Sequence, residues 1–414
     1  MDKNQQSHEK KSFKIIKWLR QLIKEDMGLI YTTLGSTGSS FLGAFFWLIL
    51  ASILQVENYG LVNYYIALAS IAATLGTLGL NTTVTTYAAK GEKNLIYEAN
   101  SLALISGILS ALILSIFQWI SGILSATSIF FGMTLAEILG RKMYREYALL
   151  SIGQRLAQIT LSILLYFQLG VSGIILGYFL GYLIFSYKYL KSIKKFTIKI
   201  NDLKEKRNFA LHSYAFNLIG NFSGSLDKVI IGALFGYYAL GLYQLGFQFF
   251  MFLSIIPSSL FQYLLPEESS GKNKTKIKLI GLVFSITVAL LTLIISPYLI
   301  ENFFPTFIES IETVKIISLA IIPSTIVAML NASLLGKEKS KQVLTAGLVY
   351  LASLTTGLIV IGKIMGPPGM ALAIVIAQTI QAIYLITKRK SINFPEKQKT
   401  VPNNSPQNGK RWKF

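Results

Sequence analysis

Two rows of polar side chains interrupt apolar stretches of this chain at helical spacing. In one, Ser151, Gln154, Arg155, Gln158 and Ser162 recur every three or four residues; in the other, Ser213, Asn217, Asn221, Gly224, Asp227 and Lys228 do the same. That interval places each row on one face of an α-helix. Shorter sets lie elsewhere, Thr33, Ser36, Thr37 and Ser40 in one stretch and Gln244 with Gln248 in another. The chemistry these residues support is non-covalent. Arg155 and Lys228 offer cationic donors to an anionic head group, and Gln154, Gln158, Asn217, Asn221, Gln244 and Gln248 offer carboxamide hydrogen bonds. Asp227 offers a counter-charge or a ligand for a coupling cation. An ionisable group in hydrocarbon is costly and normally faces a bundle interior or water, so these residues are the candidate lining of a central substrate cavity. In the competing reading they satisfy one another between helices, with Arg155 reaching Glu137. Adjacent residues diverge around a helix, so Asp227 and Lys228 are expected to have separate partners. Glu137, near a membrane boundary, reads as structural.

No constellation for covalent chemistry accompanies them. The sequence has no Walker A loop, no glycine-rich dinucleotide turn and no HExxH, and its two histidines are His8 and His212. With no cysteine there are no disulfides and no thiolate metal sites. The reading is a protein that is not an enzyme and needs no cofactor.

The elements that must position these residues are membrane spans. Of 414 residues, 52% are hydrophobic and only 14% charged. Twelve apolar segments are long enough to cross a bilayer, at 28–54, 60–84, 97–118, 122–140, 147–168, 170–188, 209–235, 238–264, 277–299, 313–335, 342–362 and 368–387. The regions on one side of them hold 35 of the 39 Lys and Arg residues, and only Arg155, Lys228, Lys315 and Lys363 fall elsewhere. The other side carries Glu57, Glu301, Glu309 and Glu312. Positive charge stays inside, which places both termini in the cytoplasm. The formal charge of +20 therefore reflects topology and attraction to anionic lipid rather than nucleic-acid binding. Arg155 lies nine residues from the inner boundary of its span, about 13 Å deep and near the bilayer centre, and Lys228 lies in the outer half of its own.

The expected organisation is an all-α polytopic membrane protein of two six-helix lobes around a central cavity. A basic amphipathic arm (1–27, with the helix at 13–24) precedes the first lobe (28–187). A basic linker (188–208) leads to the second lobe (209–387) and a disordered basic tail (388–414). No cleavable signal peptide is evident at the start. The halves echo each other: residues 50–68 align with 231–249, Gly60-Leu61 falling on Gly241-Leu242 at an offset of 181. Six spans per half is even, so both copies share one orientation, related by an axis along the membrane normal. Pro257 and Pro323 lie inside spans and are candidate bends.

Certain motifs carry a family resemblance. Residues 35–81 contain Asn58-Tyr59-Gly60 after the first span and Leu78-Gly79-Leu80-Asn81 at the end of the second. Residues 213–245 contain Ser225, Asp227 and Gly232, then Gly236, Gly241 and Tyr243; 255–270 and 334–341 match as inner loops. In these features the chain resembles the polysaccharide or O-antigen flippase family of the multidrug/oligosaccharidyl-lipid/polysaccharide exporter superfamily. Many members of that family have fourteen spans, whereas twelve is usual in the drug-exporting relatives. The resemblance implies movement of a polyprenyl-diphosphate-linked glycan from the inner to the outer leaflet of the cell membrane by alternating access. Its partners would be that glycan, membrane lipids, and a polysaccharide polymerase and glycosyltransferases. Two other readings are weighed against it. A cation-coupled drug exporter needs acids in the cavity, and the span charges lean positive. A non-transporting component of polysaccharide assembly has no need of polar stripes. For the topology, a single cysteine at Asn201 is expected to resist an impermeant thiol reagent applied to intact cells.

Overall fold

The computed structural model describes residues 27–271 and 274–390. The proposed amphipathic helix at 13–24 lies outside the described residues, as does the tail beyond Lys390; residues 388–390, expected to begin a disordered tail, instead complete the last helix. The described chain is helical throughout: α1 (Met27–Ile53), α2 (Val56–Thr77), α3 (Leu80–Ala89), α4 (Lys93–Ser115), α5 (Trp119–Gly140), α6 (Tyr144–Leu169), α7 (Val171–Phe185), α8 (Tyr187–Ser192), α9 (Asn201–Glu205), α10 (Arg207–Leu253), α11 (Ile255–Ser269), α12 (Thr275–Phe303), α13 (Ile311–Ser318), α14 (Ile321–Leu335), α15 (Ser340–Met365) and α16 (Pro367–Lys390). Helix is the expected solution because a bilayer offers no water to satisfy backbone N–H and C=O groups.

Ten stretches are long and apolar enough to span a membrane, and the bent pair Val171–Phe185 and Tyr187–Lys195, angled at 52°, makes an eleventh. One of the ten, Arg207–Ser269, is 63 residues long. Straight, it would reach about 95 Å, some three times the hydrocarbon core. It is not straight. Gly236 takes φ 87° and ψ 169° inside α10. The Tyr243 hydroxyl then donates to Asp227 Oδ2 at 2.6 Å, although a straight helix would hold those residues about 24 Å apart. The chain therefore reverses at Gly236, α10 is two crossings, and the total is twelve.

Several spans are also broken within their length. The second passes through Leu78 and Gly79, both left-handed, before continuing as α3. Others break before α11 and before α14, and Pro257 and Pro323 each stand third in the new helix, where the missing N–H has no intrahelical acceptor to lose. The prolines thus mark fresh helix starts rather than kinks.

The lobes meet along α2 and the first arm of α10, which run antiparallel. At one end a Cβ on Gly60 would strike the Tyr237 carbonyl oxygen, and a Cβ on Gly241 would strike the Val56 carbonyl oxygen. These contacts are reciprocal under the 181-residue offset, which carries Val56 to Tyr237 and Gly60 to Gly241. The same offset carries Gln55, in the turn before α2, to the reversal at Gly236. A self-complementary contact of this kind is what a twofold axis produces. Around this end the apolar core draws on both halves: Tyr59 meets Phe307 edge to face at 5.4 Å and Trp47 at 5.7 Å.

Gly236 isolates a backbone requirement, because a Cβ there would meet nothing within 4 Å. Gly236→Val is therefore expected to lower stability by about 1–2 kcal/mol through the left-handed φ alone. A lower Tm in detergent checks this, and Gly220→Val, with the same open space but a helical backbone, should lose less.

Candidate functional site

The Arg155 row lies on α6, which packs along α1. Arg155 Nη1 donates to Gln158 Oε1 at 3.1 Å, and Gln154 Nε2 donates to the same oxygen at 2.9 Å. The two glutamines are buried behind the arginine and orient it. Glu137 forms its ion pair with Arg141 at 2.8 Å, so the Arg155–Glu137 alternative is not realised. No carboxylate pairs with Arg155 among the described residues, and its Nε is buried without a partner.

Asp227 and Lys228 depart from expectation. Lys228 Nζ stands 3.3 Å from Asp227 Oδ1, so the two pair directly instead of finding separate partners. The lysine stem is long enough to curl back over the carboxylate, and in a dry setting the alternative is two uncompensated charges. Nζ also donates to the Gly224 carbonyl at 2.7 Å and stands 4.1 Å from the centre of the Phe247 ring. Asp227, 1% exposed, is held by Tyr243 on its other oxygen. It faces into the second lobe, away from the central space.

That space is a cavity of about 440 Å³ between the halves. Of the residues singled out from sequence, Arg155, Lys228, Gln244 and Gln248 line it, as do Thr37, Ser40 and Gly224. Asn221 instead lines a second, polar cavity of about 190 Å³, and Ile66 borders both. Asn217 bridges to Thr82 Oγ1 at 3.2 Å across the seam between α10 and α3. Sequence reasoning missed two large contributors, Trp47 and Asn63, and the polar row on α2 and α3 formed by Ser70, Thr74, Thr77 and Asn81. The signal was present: from Asn63 onward these residues recur at helical intervals of seven, four, three and four. Hydroxyls that bond back to their own helix, as Thr74 does to Ser70, carry little polarity to notice. The offset of 181 maps Trp47 onto Lys228, Asn63 onto Gln244 and Ala67 onto Gln248, all on the central cavity. The cavity thus lies on the internal axis.

Beside it runs an apolar groove of about 500 Å³, walled by Phe45, Leu48, Phe249, Phe252 and Phe303. Phe252 borders both spaces.

Comparison with known proteins matches this arrangement. The profile of the family described as "Polysaccharide biosynthesis protein" fits residues 27–270, more than half of the chain. The chain belongs to that family. Among solved structures it is similar to the lipid II flippase MurJ in an inward closed conformation, with a TM-score of 0.71 at 16% identity over 87% of each chain. It is also similar to a multidrug resistance MATE family transporter of the MOP superfamily. The inward-facing form gives a TM-score of 0.65 and the outward-facing form 0.56, each at 14% identity over 87% of this chain and 94% of that one. Among curated proteins no relative matches by sequence. At these identities the structural likeness establishes the fold, an all-α multi-pass architecture.

The buried pair generates a thermodynamic test. Lys228→Met strands the Asp227 charge and is expected to cost about 3–5 kcal/mol. Lys228→Met combined with Asp227→Asn should recover most of that loss. Denaturation of the purified single and double variants measures the difference.

Proposed function

We propose that this protein moves a glycan linked through a diphosphate to a polyprenyl lipid from the inner to the outer leaflet by alternating access. The observation that carries the reading is Arg155, a cation that has no carboxylate partner among the described residues and faces a cavity between two membrane lobes. A fixed positive charge there is expensive unless an anion answers it for part of the cycle. Lys228 supplies a second cation whose hold on Asp227 a phosphate can replace. The carboxamides of Gln244 and Gln248 suit a sugar, and the groove beside Phe252 suits an alkyl chain that never leaves the apolar phase. Gln154 and Gln158 act as positioning residues for Arg155, and Asn217 and Asn221 serve the polar path along the seam.

The drug-exporter reading needs an acid exposed to the cavity. No Asp or Glu lines the central cavity among the described residues, and Asp227 is turned away and already neutralised. Coupling to a second ion is not required by the energetics. An anion leaving an inside-negative cell gains about 2.3 kcal/mol per charge per 100 mV.

With the basic loops in the cytoplasm, the Gly60–Gly241 seam closes the outer side. The greater likeness to the inward-facing relative supports that state. The protein would open outward by parting this seam while the lobes rock about their axis. Gly60→Val should therefore favour the outward-open state. A cysteine at Asn63, one turn below the seam, is expected to react with an impermeant reagent from outside only in that background.

Export depends, in this account, on charge at Arg155 rather than bulk. Arg155→Lys should keep part of the export of surface polysaccharide, and Arg155→Gln should lose at least tenfold, with both proteins present in the membrane at wild-type level. Export by Arg155→Gln equal to wild type would refute the role given to this residue.

A further inference from the structure

We propose that the cavity contains a dedicated sugar subsite, built on the carboxamide row of Gln244 and Gln248, that reads the hydroxyl-bearing sugar next to the phosphate. This rests on the flippase reading above and adds to it a source of head-group specificity.

The cavity wall holds unmet hydrogen-bonding capacity. Gln244 is 3% exposed, lines the cavity, and its Oε1 has no partner. A buried acceptor left without a donor costs about 1–3 kcal/mol, so a ligand that supplies one is favoured by that amount less its own desolvation. Gln248 stands one helical turn away on the same face and is 4% exposed. One N–H of its Nε2 goes to the Ala44 carbonyl at 3.3 Å. Across the internal axis one N–H of Asn63 Nδ2 likewise goes to the Tyr59 carbonyl at 2.9 Å. Each carboxamide nitrogen carries two N–H groups, so the row keeps donors as well as acceptors. A group that both donates and accepts meets it best.

An ionised phosphate only accepts, so it leaves the unpartnered Gln244 oxygen unanswered. A sugar hydroxyl can donate to that oxygen and accept from an amide N–H. Trp47 borders the same cavity, with its ring packed edge to face on Tyr59 at 5.7 Å and tilted against Phe46 at 5.8 Å. It offers a flat apolar surface to the C–H face of a pyranose. Cations for phosphate and carboxamides plus an indole for sugar thus occupy one space of about 440 Å³, large enough for a diphosphate with a sugar or two. A lipophilic cation would find no carboxylate counter-charge among the residues lining this cavity.

The test measures binding to the full-length protein in detergent with three synthetic probes. They are geranyl diphosphate, geranyl diphosphate carrying one N-acetylglucosamine, and the same glycolipid with its three free sugar hydroxyls methylated. Wild type should bind the glycosylated probe about tenfold more tightly than the bare one, the gain from two net hydrogen bonds. Methylation should abolish that gain, a result that needs no variant protein. Gln244→Leu should bring the ratio of glycosylated to bare affinity to within about threefold. Arg155→Gln should weaken all three probes together. Equal affinity of wild type for all three probes, or an unaltered ratio in Gln244→Leu, would overturn the subsite and leave the flippase reading standing. Failure of wild type to bind even the bare diphosphate would remove both.

Discussion

Charge in hydrocarbon is the constraint on which this structure turns. A dozen crossings built from Leu, Ile, Val and Phe could pack without any ionisable residue, and most of the basic residues are indeed kept to the loops. Within the spans the protein treats its charges in two ways. Asp227 and Lys228 are closed on each other and braced by Tyr243, so their burial is compensated inside one lobe. Arg155 is oriented by two glutamines and has no carboxylate partner among the described residues, facing the space between lobes. A compensated pair can be explained by packing alone. An arginine so placed suits an anion that arrives and leaves, and the proposed transport pathway rests on that asymmetry.

The internal repeat explains where that pathway lies. Gly60 and Gly241 touch the partner half reciprocally, and the residues one and two turns further along each arm, Asn63 with Gln244 and Ala67 with Gln248, face the cavity together. The duplicated hairpin therefore supplies both the seal at one end and the walls below it. Divergence between the copies has then set the chemistry: where the first half has Phe46 and Trp47, the second has Asp227 and Lys228. An aromatic wall in one lobe and a cationic wall in the other suit a ligand that is part sugar and part phosphate.

Much of this was legible in the sequence, and the exceptions have physical causes. Hydrophobic length and the sidedness of Lys and Arg report directly on crossings, because both are set by the bilayer; all twelve segments correspond to helical crossings. The Gly60–Gly241 correspondence was visible as a faint echo, and its reciprocity required coordinates. Helical period identified polar faces but could not say which neighbour each one meets. Asn217 and Asn221 share a face with Lys228, yet they turn to the seam and the second cavity because α2 and α3 lie alongside. Asp227 and Lys228 confounded an argument from Cα direction alone, since a flexible four-carbon stem can bring its ammonium back to the preceding residue. Trp47 went unnoticed because an aromatic in a membrane span is ordinary until its surroundings are known.

The central claim is that the cavity carries a phosphate-linked glycan and not a lipophilic cation. The most direct measurement is transport by the purified protein in sealed vesicles, comparing a fluorescent short-chain prenyl-diphosphate disaccharide with ethidium. The account predicts that the glycolipid reaches the opposite leaflet at a rate that depends on Arg155, while ethidium does not cross above the protein-free background. Accumulation of ethidium driven by an ion gradient, with the glycolipid left in its original leaflet, would contradict it.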